Sequence, residues 1–600
     1  MKQALLDKIR KVIHYYRENG IKRFVLHVFA KLFCVEEMSY KRWRKKTKIS
    51  KKVLEEQTQS VFDQMPLFSI VIPLYCTPAN YLIEMMDSIL AQSYRKWELC
   101  LSDGSGFGRL DDGLIREYMR KDKRIKFVSS REPLSISNNT NQALSIATGD
   151  YIVFMDHDDL IEPNALYECV KVINTHPHVE IIYTDEDKVS ADGKKFFQPH
   201  FKSDFNIDLL RSMNYICHLF VVSSEVQRKV GLLRQEFDGA QDYDFILRCV
   251  EVSDRICHIP QILYHWRTHQ DSTSENPESK LYAFEAGRKA IEDHLKRVDI
   301  PAEVKMGEYL GIYRVNYFLQ SMPLASILIP NKDHTRDLAR CINSLFKNQN
   351  YGNFEVIIIE NNSETEEVFH YYEKIQKKYK NIKVIKRQSN GTFNFSALNN
   401  FAAKYAHGQY LLFLNNDTEI LNPESIKEMV SLCMREEVGA VGAKLYYPDG
   451  TIQHAGVILG LGGVAGHAFK DFPHNANGYF SRIICRQDYS AVTAACMMVP
   501  KTLFEEVGGF DERLEVAFND IDLCLKIRDK KKLVVYTPYA ELCHYESKSR
   551  GQEDTQEKVE RFNKEVQYFR VKWEEYLTVG DIYYNPNLTL EKHDFSLKVI

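Results

Sequence analysis

The sequence predicts an α/β protein built from two tandem copies of one unit. Three observations carry this: apolar strand signals alternate with helical ones, one strand ends in a dense acidic turn, and the same order of features then returns. Phe68-Ser69-Ile70-Val71-Ile72-Pro73 opens the first unit. Trp97 to Leu101 follows and ends in Ser102-Asp103-Gly104-Ser105, then comes Ile125 to Val128. A helix from about Ser137 to Ala147 leads through Gly149 to Tyr151-Ile152-Val153-Phe154, and Met155-Asp156-His157-Asp158-Asp159 follows directly. Strands alternating with helical patterns imply parallel βαβ units.

The second pass begins at Ala325-Ser326-Ile327-Leu328-Ile329-Pro330. Phe354 to Ile359 ends in Glu360-Asn361-Asn362-Ser363, and Ile382 to Ile385 matches the third strand. Asn394 to Ala406 and Gly408 lead to Tyr410-Leu411-Leu412-Phe413 and the turn Leu414-Asn415-Asn416-Asp417. Pro73 to Asp156 spans 83 residues and Pro330 to Asn415 spans 85, so duplication is favoured over coincidence.

Six hundred residues exceed one hydrophobic core, and 44% apolar with 27% charged residues is ordinary for a globular chain. The formal charge of −3 argues against a general nucleic-acid binder. Thirteen scattered cysteines, without a CxxC pair, fit a reducing cytoplasm. No run approaches the roughly 20 apolar residues of a spanning helix. Residues 1–60 hold 16 Lys/Arg against 6 Asp/Glu. Leu5, Leu6, Ile9, Val12, Ile13 and Tyr16 fall at helical spacing, and Lys41-Arg42-Trp43-Arg44-Lys45-Lys46 follows. Residues 1–50 therefore read either as a peripheral membrane contact or as an arm packed on protein.

In an open α/β sheet, ligands sit beyond the carboxyl ends of the strands. Carboxylates there can hold a hard divalent cation, and that cation a diphosphate. Asp156 and Asp158 straddle His157 and can face one side; the bland alternative is that Asp158 or Asp159 caps the next helix. Asp242, in Gln241-Asp242-Tyr243-Asp244, and Asp520, in Asn519-Asp520-Ile521-Asp522, are candidate general bases, with Asp244 and Asp522 read as helix caps. His265 lies 23 residues after Asp242 and His544 lies 24 after Asp520, so each is a candidate metal ligand, with His269 a rival to His265. Asp103, and Glu360 with Asn361 in its place, can accept hydrogen bonds from a base or ribose. Asn138, Asn141, Asn394 and Asn399 either contact the nucleotide or cap and pack. Cys496, Cys524 and Cys543 read as packed thiols.

These residues resemble family 2 glycosyltransferases of the GT-A fold, in the tandem form of bacterial surface-polysaccharide assembly. The resemblance rests on FSIVIPLY, LSDGS, DYIVFMDHDD, AQDYD and YHWRTH in the first half. In the second it rests on ASILIPNKD, IIENNS, QYLLFLNND, GAVGAKLYYPDGTIQHAG, FNDIDLCLK and CHYES. It implies an α/β chain with a basic helical arm (1–65), a first GT-A domain (66–310), a junction (311–323), a second GT-A domain (324–551) and a helical C-terminal extension (552–600). It implies inverting transfer, with bases at Asp242 and Asp520. It implies a Mn²⁺ or Mg²⁺ site of the DXD type at Asp156 and Asp158, with Asp417 and His544 in the second copy. Nucleotide-sugar contacts are implied at Pro73, Tyr75, Asp156, Pro330, Asn331, Asn415 and Asn416. The implied partners are nucleotide-diphosphate sugars and a glycan or lipid-linked glycan acceptor, at the cytoplasmic side of the cell. The second half resembles rhamnosyltransferase-like and galactofuranosyltransferase-like members. It departs from the first in carrying Asn415 and Asn416 where Asp156 and His157 stand. The alternatives are one active half with a degenerate glycan- or nucleotide-binding half, and a non-catalytic glycan-binding scaffold.

Overall fold

The structure is a computed structural model that describes residues 39–110, 112–268, 281–347, 349–387, 393–545 and 555–600. Most of the expected basic arm, and His269, lie outside the described residues.

The first half is one sheet of nine strands: β1 (Phe68–Leu74), β2 (Trp97–Asp103), β3 (Ile125–Ser129), β4 (Tyr151–Phe154), β5 (Leu160–Ile161), β6 (Ile181–Ser190), β7 (Phe196–His200), β8 (Phe220–Ser223) and β9 (Ile256–Thr268). The hairpin β10 (Ala302–Met306) and β11 (Tyr313–Tyr317) follows. The second half contains β12 (Ala325–Asn331), β13 (Phe354–Glu360), β14 (Ile382–Lys386), β15 (Tyr410–Leu414), β16 (Thr418–Ile420), β17 (Val438–Tyr446), β18 (Ile452–His454), β19 (Val457–Leu459), β20 (Ala465–His467), β21 (Gln487–Asp488), β22 (Cys496–Pro500) and β23 (Leu533–His544).

The two sheets follow one path. Their orders are β3-β2-β1-β4-β8-β6-β9-β5 and β14-β13-β12-β15-β22-β17-β23-β16. The strands flanking β1 and β12 are parallel, β4–β8 and β15–β22 are antiparallel, and β6–β9 and β17–β23 are parallel again. Strands β1 and β12 are buried along their whole length, as a parallel sheet covered on both faces requires.

The serine at the second position of each central strand explains a distant glycine. Ser69 Oγ donates to Glu98 Oε1 at 2.7 Å and accepts from Gly149 N at 2.8 Å. Ser326 Oγ donates to Glu355 Oε1 at 2.6 Å and accepts from Gly408 N at 2.8 Å. A Cβ on Gly149 would lie 2.6 Å from Leu67 O, and one on Gly408 2.6 Å from Leu324 O. Only glycine lets the chain pass that close before β4 and β15.

The segment read from sequence as a junction contains an ordered strand lodged between the halves. Tyr313 N donates to Ser212 O at 2.8 Å, and Arg486 Nη1 donates to Val315 O at 2.9 Å. Beside it, Arg435 forms a bidentate pair with Asp208 across the halves, at 2.6 and 3.1 Å, with both side chains buried.

The basic run is partly packed. Trp43 is buried edge-on against Phe201, Arg44 Nη2 pairs with Glu162 at 2.8 Å, and Tyr40 Oη donates to Asp187. Lys41, Arg42, Lys45 and Lys46 stay exposed. No helix among the described residues is long and apolar enough to cross a membrane.

The C-terminal helix runs over Gln556–Lys572. Its Glu565 accepts from the backbone N–H groups of Glu515, Val516 and Ala517 at 2.8 to 3.0 Å, holding the loop just before Asp520. The tail then reaches back to the first half, where Asn585 Nδ2 donates to Asp185 and to Lys202 O, both at 2.9 Å.

Candidate functional site

In the first half, the carboxyl ends of β1 and β4 open into a cleft of about 550 Å³. Pro73, Asp156, Asn214, Cys217, His218, Asp242 and Trp266 line it, and Phe480 of the second half forms one wall. Asp156 and Asp158 are half-buried on the turn after β4, whereas Asp159 is fully buried. Asp159 accepts from Arg267 N at 2.7 Å and from Tyr264 Oη, so it builds the turn and caps no helix.

Asp242 opens the helix Gln241–Val252, and Asn214 Nδ2 donates to its Oδ2 at 3.0 Å. Burial raises the Asp242 pKa and Asp156 adds to the rise, against the pull of His218 and Asn214. A carboxylate with increased proton affinity suits a general base. Asp244 is fully buried between Arg234 and Arg248, the latter Nε 3.0 Å from Oδ2. It anchors the helix and does not serve as the cap expected from sequence, since Ala240 occupies that place.

The second half repeats this with different partners. Asp520 Oδ2 accepts from Ala494 N at 3.1 Å, and Oδ1 from Ile521 N at 2.9 Å. Asp522 is fully buried against Trp573 Nε1 at 2.9 Å and Lys572 Nζ at 2.6 Å. His544 Nε2 lies 3.1 Å from Asp417 Oδ1 and 3.2 Å from Asn415 Nδ2. Gln453 Oε1, an acceptor, lies 2.7 Å from His544 Nδ1, and a proton on Nδ1 leaves Nε2 to share a bound cation with Asp417. That donor set fits a hard or borderline divalent cation. A second cavity, of about 590 Å³, is lined by His544, Gln453, Thr493, Lys470 and Arg570.

His265 does not match His544. In the ladders, Phe154 opposes Phe220 and Phe413 opposes Met497, while Tyr183 opposes Phe220 and Gly442 opposes Met497. Four residues on, Asp187 opposes His265 and Tyr446 opposes Cys543. The outer strands agree, pairing Leu160 with His265 and Glu419 with Cys543. His265 thus occupies the place of Cys543, and Trp266 that of His544. The difference between the 23- and 24-residue spacings is this one-residue offset, which sends the two side chains to opposite faces. His265 lies instead against Asp187 and Glu162, with Nε2 3.1 Å from Glu162 Oε1. Burial works against its charge, yet Asp187 and Glu162 hold its pKa up to about 9.

The histidine that does face the first acidic turn is His218. Its Nε2 lies 3.5 Å from Asp156 Oδ2, and its ring stacks on Tyr264. Sequence reasoning missed it because the second half has Ala495 there; the available signal was a histidine immediately upstream of the apolar run 219–222, which becomes β8.

Several expected nucleotide contacts are occupied within the fold. Asp103 Oδ1 accepts from Ser105 N at 2.9 Å, and Glu360 accepts from Ser363 N at 2.6 Å and Tyr372 Oη at 2.9 Å. Asn331 Oδ1 accepts from Asn416 Nδ2 at 2.6 Å, tying the ends of β12 and β15 together. Asn141 spans to Leu233 through both side-chain atoms, and Asn138 donates to Gln235 at 3.0 Å. Asn394 caps its helix by accepting from Ala397 N at 2.8 Å, and the buried Asn399 donates to Phe395 O at 2.9 Å. Tyr75 is exposed beyond β1, and Pro330 lies buried near the end of β12.

The family model described as glycosyl transferase family 2 matches this chain twice, over residues 69–230 and 326–506. The uncharacterized protein y4gI of Sinorhizobium fredii (strain NBRC 101917 / NGR234) is 45% identical over 538 residues, 89% of this chain and 58% of its own length. The O-antigen biosynthesis protein RfbC of Myxococcus xanthus is 34% identical over 567 residues, 93% of this chain and 43% of its own. Among solved structures, a mannosyltransferase from Pyrobaculum calidifontis in complex with GDP-Man and Mn²⁺ is 12% identical, covering 43% of this chain and 66% of that one, with a TM-score of 0.32. The chain spans about half the length of the curated relatives it matches.

Proposed function

The chain belongs to glycosyl transferase family 2, and from that premise we propose that each half transfers a sugar from a nucleotide-diphosphate sugar to a growing glycan. The observation that carries the reading is the repeated pairing of a half-buried carboxylate at a helix start, Asp242 or Asp520, with the polar turn after β4 or β15. In each half that carboxylate takes the proton of the acceptor hydroxyl as its oxygen attacks the anomeric carbon. The bond from that carbon to the diphosphate oxygen breaks on the opposite face, and the nucleotide diphosphate leaves with inversion. Asn214 orients Asp242 and the Ala494 N–H orients Asp520, so neither base needs rearrangement to act. A Mn²⁺ or Mg²⁺ ion, held by Asp156 and Asp158 in one half and by Asp417 and His544 in the other, supplies neutralisation of the leaving diphosphate.

Likeness to a protein named for O-antigen biosynthesis supports a surface polysaccharide as product. The excess of Lys/Arg in residues 1–60 supports a lipid-linked acceptor reached at an anionic surface. A second reading, one active half and one binding half, is favoured by Trp266 standing where the second half has His544.

Donor hydrolysis with UDP-, dTDP- and GDP-sugars, with Mn²⁺ or Mg²⁺ and with EDTA, tests both readings. Two activities, one lost in Asp158→Ala and the other in Asp417→Ala, are expected. One activity, lost only in Asp417→Ala, supports the second reading. No hydrolysis and no donor binding by calorimetry contradicts both.

A further inference from the structure

Cys217 and His218, beside Asp242, are given no step in the proposed sugar transfer. Cys217, His218 and Asp242 each offer a ligand atom, and the three atoms lie within 4.8 Å of one another. Ligands on a tetrahedral zinc-type centre, at about 2.0 to 2.3 Å from the metal, sit roughly 3.5 Å apart. The present spacing exceeds that value by no more than about 1.3 Å.

The cluster is held from outside. Asn214 ties two members together, donating to Asp242 Oδ2 at 3.0 Å and accepting from Cys217 N at 3.2 Å. His218 is 8% exposed, with one ring nitrogen facing Asp156 and the other, Nδ1, buried without a hydrogen-bond partner. A carboxylate on one imidazole nitrogen and an open position on the other is the usual environment of a metal-ligating histidine. The equivalent residues of the second half, by the register of Phe220 and Met497, are Ala494 and Ala495, which offer no ligand.

We propose that Cys217, His218 and Asp242 form a binding site for a borderline divalent cation of the Zn²⁺ class, without a counterpart among the described residues of the second half. Thiolate and imidazole select such ions over Mg²⁺. A coordinated Cys217 gives its proton to solvent, and water completes the shell. The ion takes the carboxylate that serves as base, so its binding switches off the first transfer and leaves the second running. This regulatory consequence rests on the reading of Asp242 as base; the site itself does not.

Co²⁺ is the probe, added to the full chain without any sugar donor. A sulfur-to-cobalt charge-transfer band in the near ultraviolet, saturating at one equivalent, is expected. It disappears in Cys217→Ser, persists in Cys76→Ser, which alters an exposed thiol, and needs at least about tenfold more Co²⁺ in His218→Ala. Absence of the band in the wild-type protein, or its survival in Cys217→Ser, overturns the site. In transfer assays, Zn²⁺ lowers the first-half activity of wild type and not that of Cys217→Ser; equal Zn²⁺ sensitivity in both overturns the switch. A band in a protein that transfers no sugar leaves the site standing while the glycosyltransferase reading fails.

Discussion

The first half brings a histidine to its acidic turn from the residues just before β8, while the second brings one from the end of β23. The strand paths are the same. Trp266 fills the position of His544, and Ala495 that of His218. A shared fold fixes where the ends of β4 and β15 open, but the donors around them come from different strands, which one intervening strand separates in the sheet. The two proposed bases differ in the same way: a side-chain amide holds Asp242 and a backbone N–H holds Asp520.

Asp208→Ala tests whether the halves form one unit. It leaves the buried guanidinium of Arg435 without its bidentate partner. A loss of about 3–5 kcal/mol in unfolding free energy is expected, affecting both transfers together. Denaturant titration measures it, and a loss below about 1 kcal/mol would mean that the contact is solvated.

His265 marks a difference in pH response. Its folded pKa, about 9, lies above the ordinary histidine value. The stability it adds is therefore fully present below about pH 6.5 and is lost as pH rises through 9, a difference of roughly 3 kcal/mol. His265→Gln removes that slope, as stability measured at pH 6 and pH 9 will show. Cys543 holds the equivalent place, so the slope belongs to the first half.

Gln453→Leu sharpens the comparison at the second site. It frees the His544 ring, and an activating cation should bind about 10–100-fold more weakly in the second half only. Activity against Mn²⁺ concentration, followed separately for the two products, reads this out. Equal weakening in both halves would break the assignment.

The duplication was legible because parallel strands are near-continuous apolar runs and because Gly149 and Gly408 must lie against the chain before β1 and β12. That Asp242 and Asp520 lie at matching helix starts was legible from the apolar helical face that follows each, although both stand in the first helical turn and not in the loop before it. The first histidine was not: sequence spacing tolerates a one-residue offset, whereas a ladder does not, and only strand register separates His265 from Trp266. The roles of Glu360, Asn331 and Asn416 were hidden for a related reason. Their partners Ser363, Tyr372 and one another are set by the packing of strand ends, which no local pattern encodes.

The most direct test of two transfer centres is linkage analysis of products made by Asp242→Asn and Asp520→Asn, each checked for an unchanged melting temperature. Each variant is predicted to lose one linkage, by about 10²- to 10⁴-fold in rate, while the other linkage still forms on a supplied acceptor. Loss of the same linkage in both variants, or of none in either, would contradict the account.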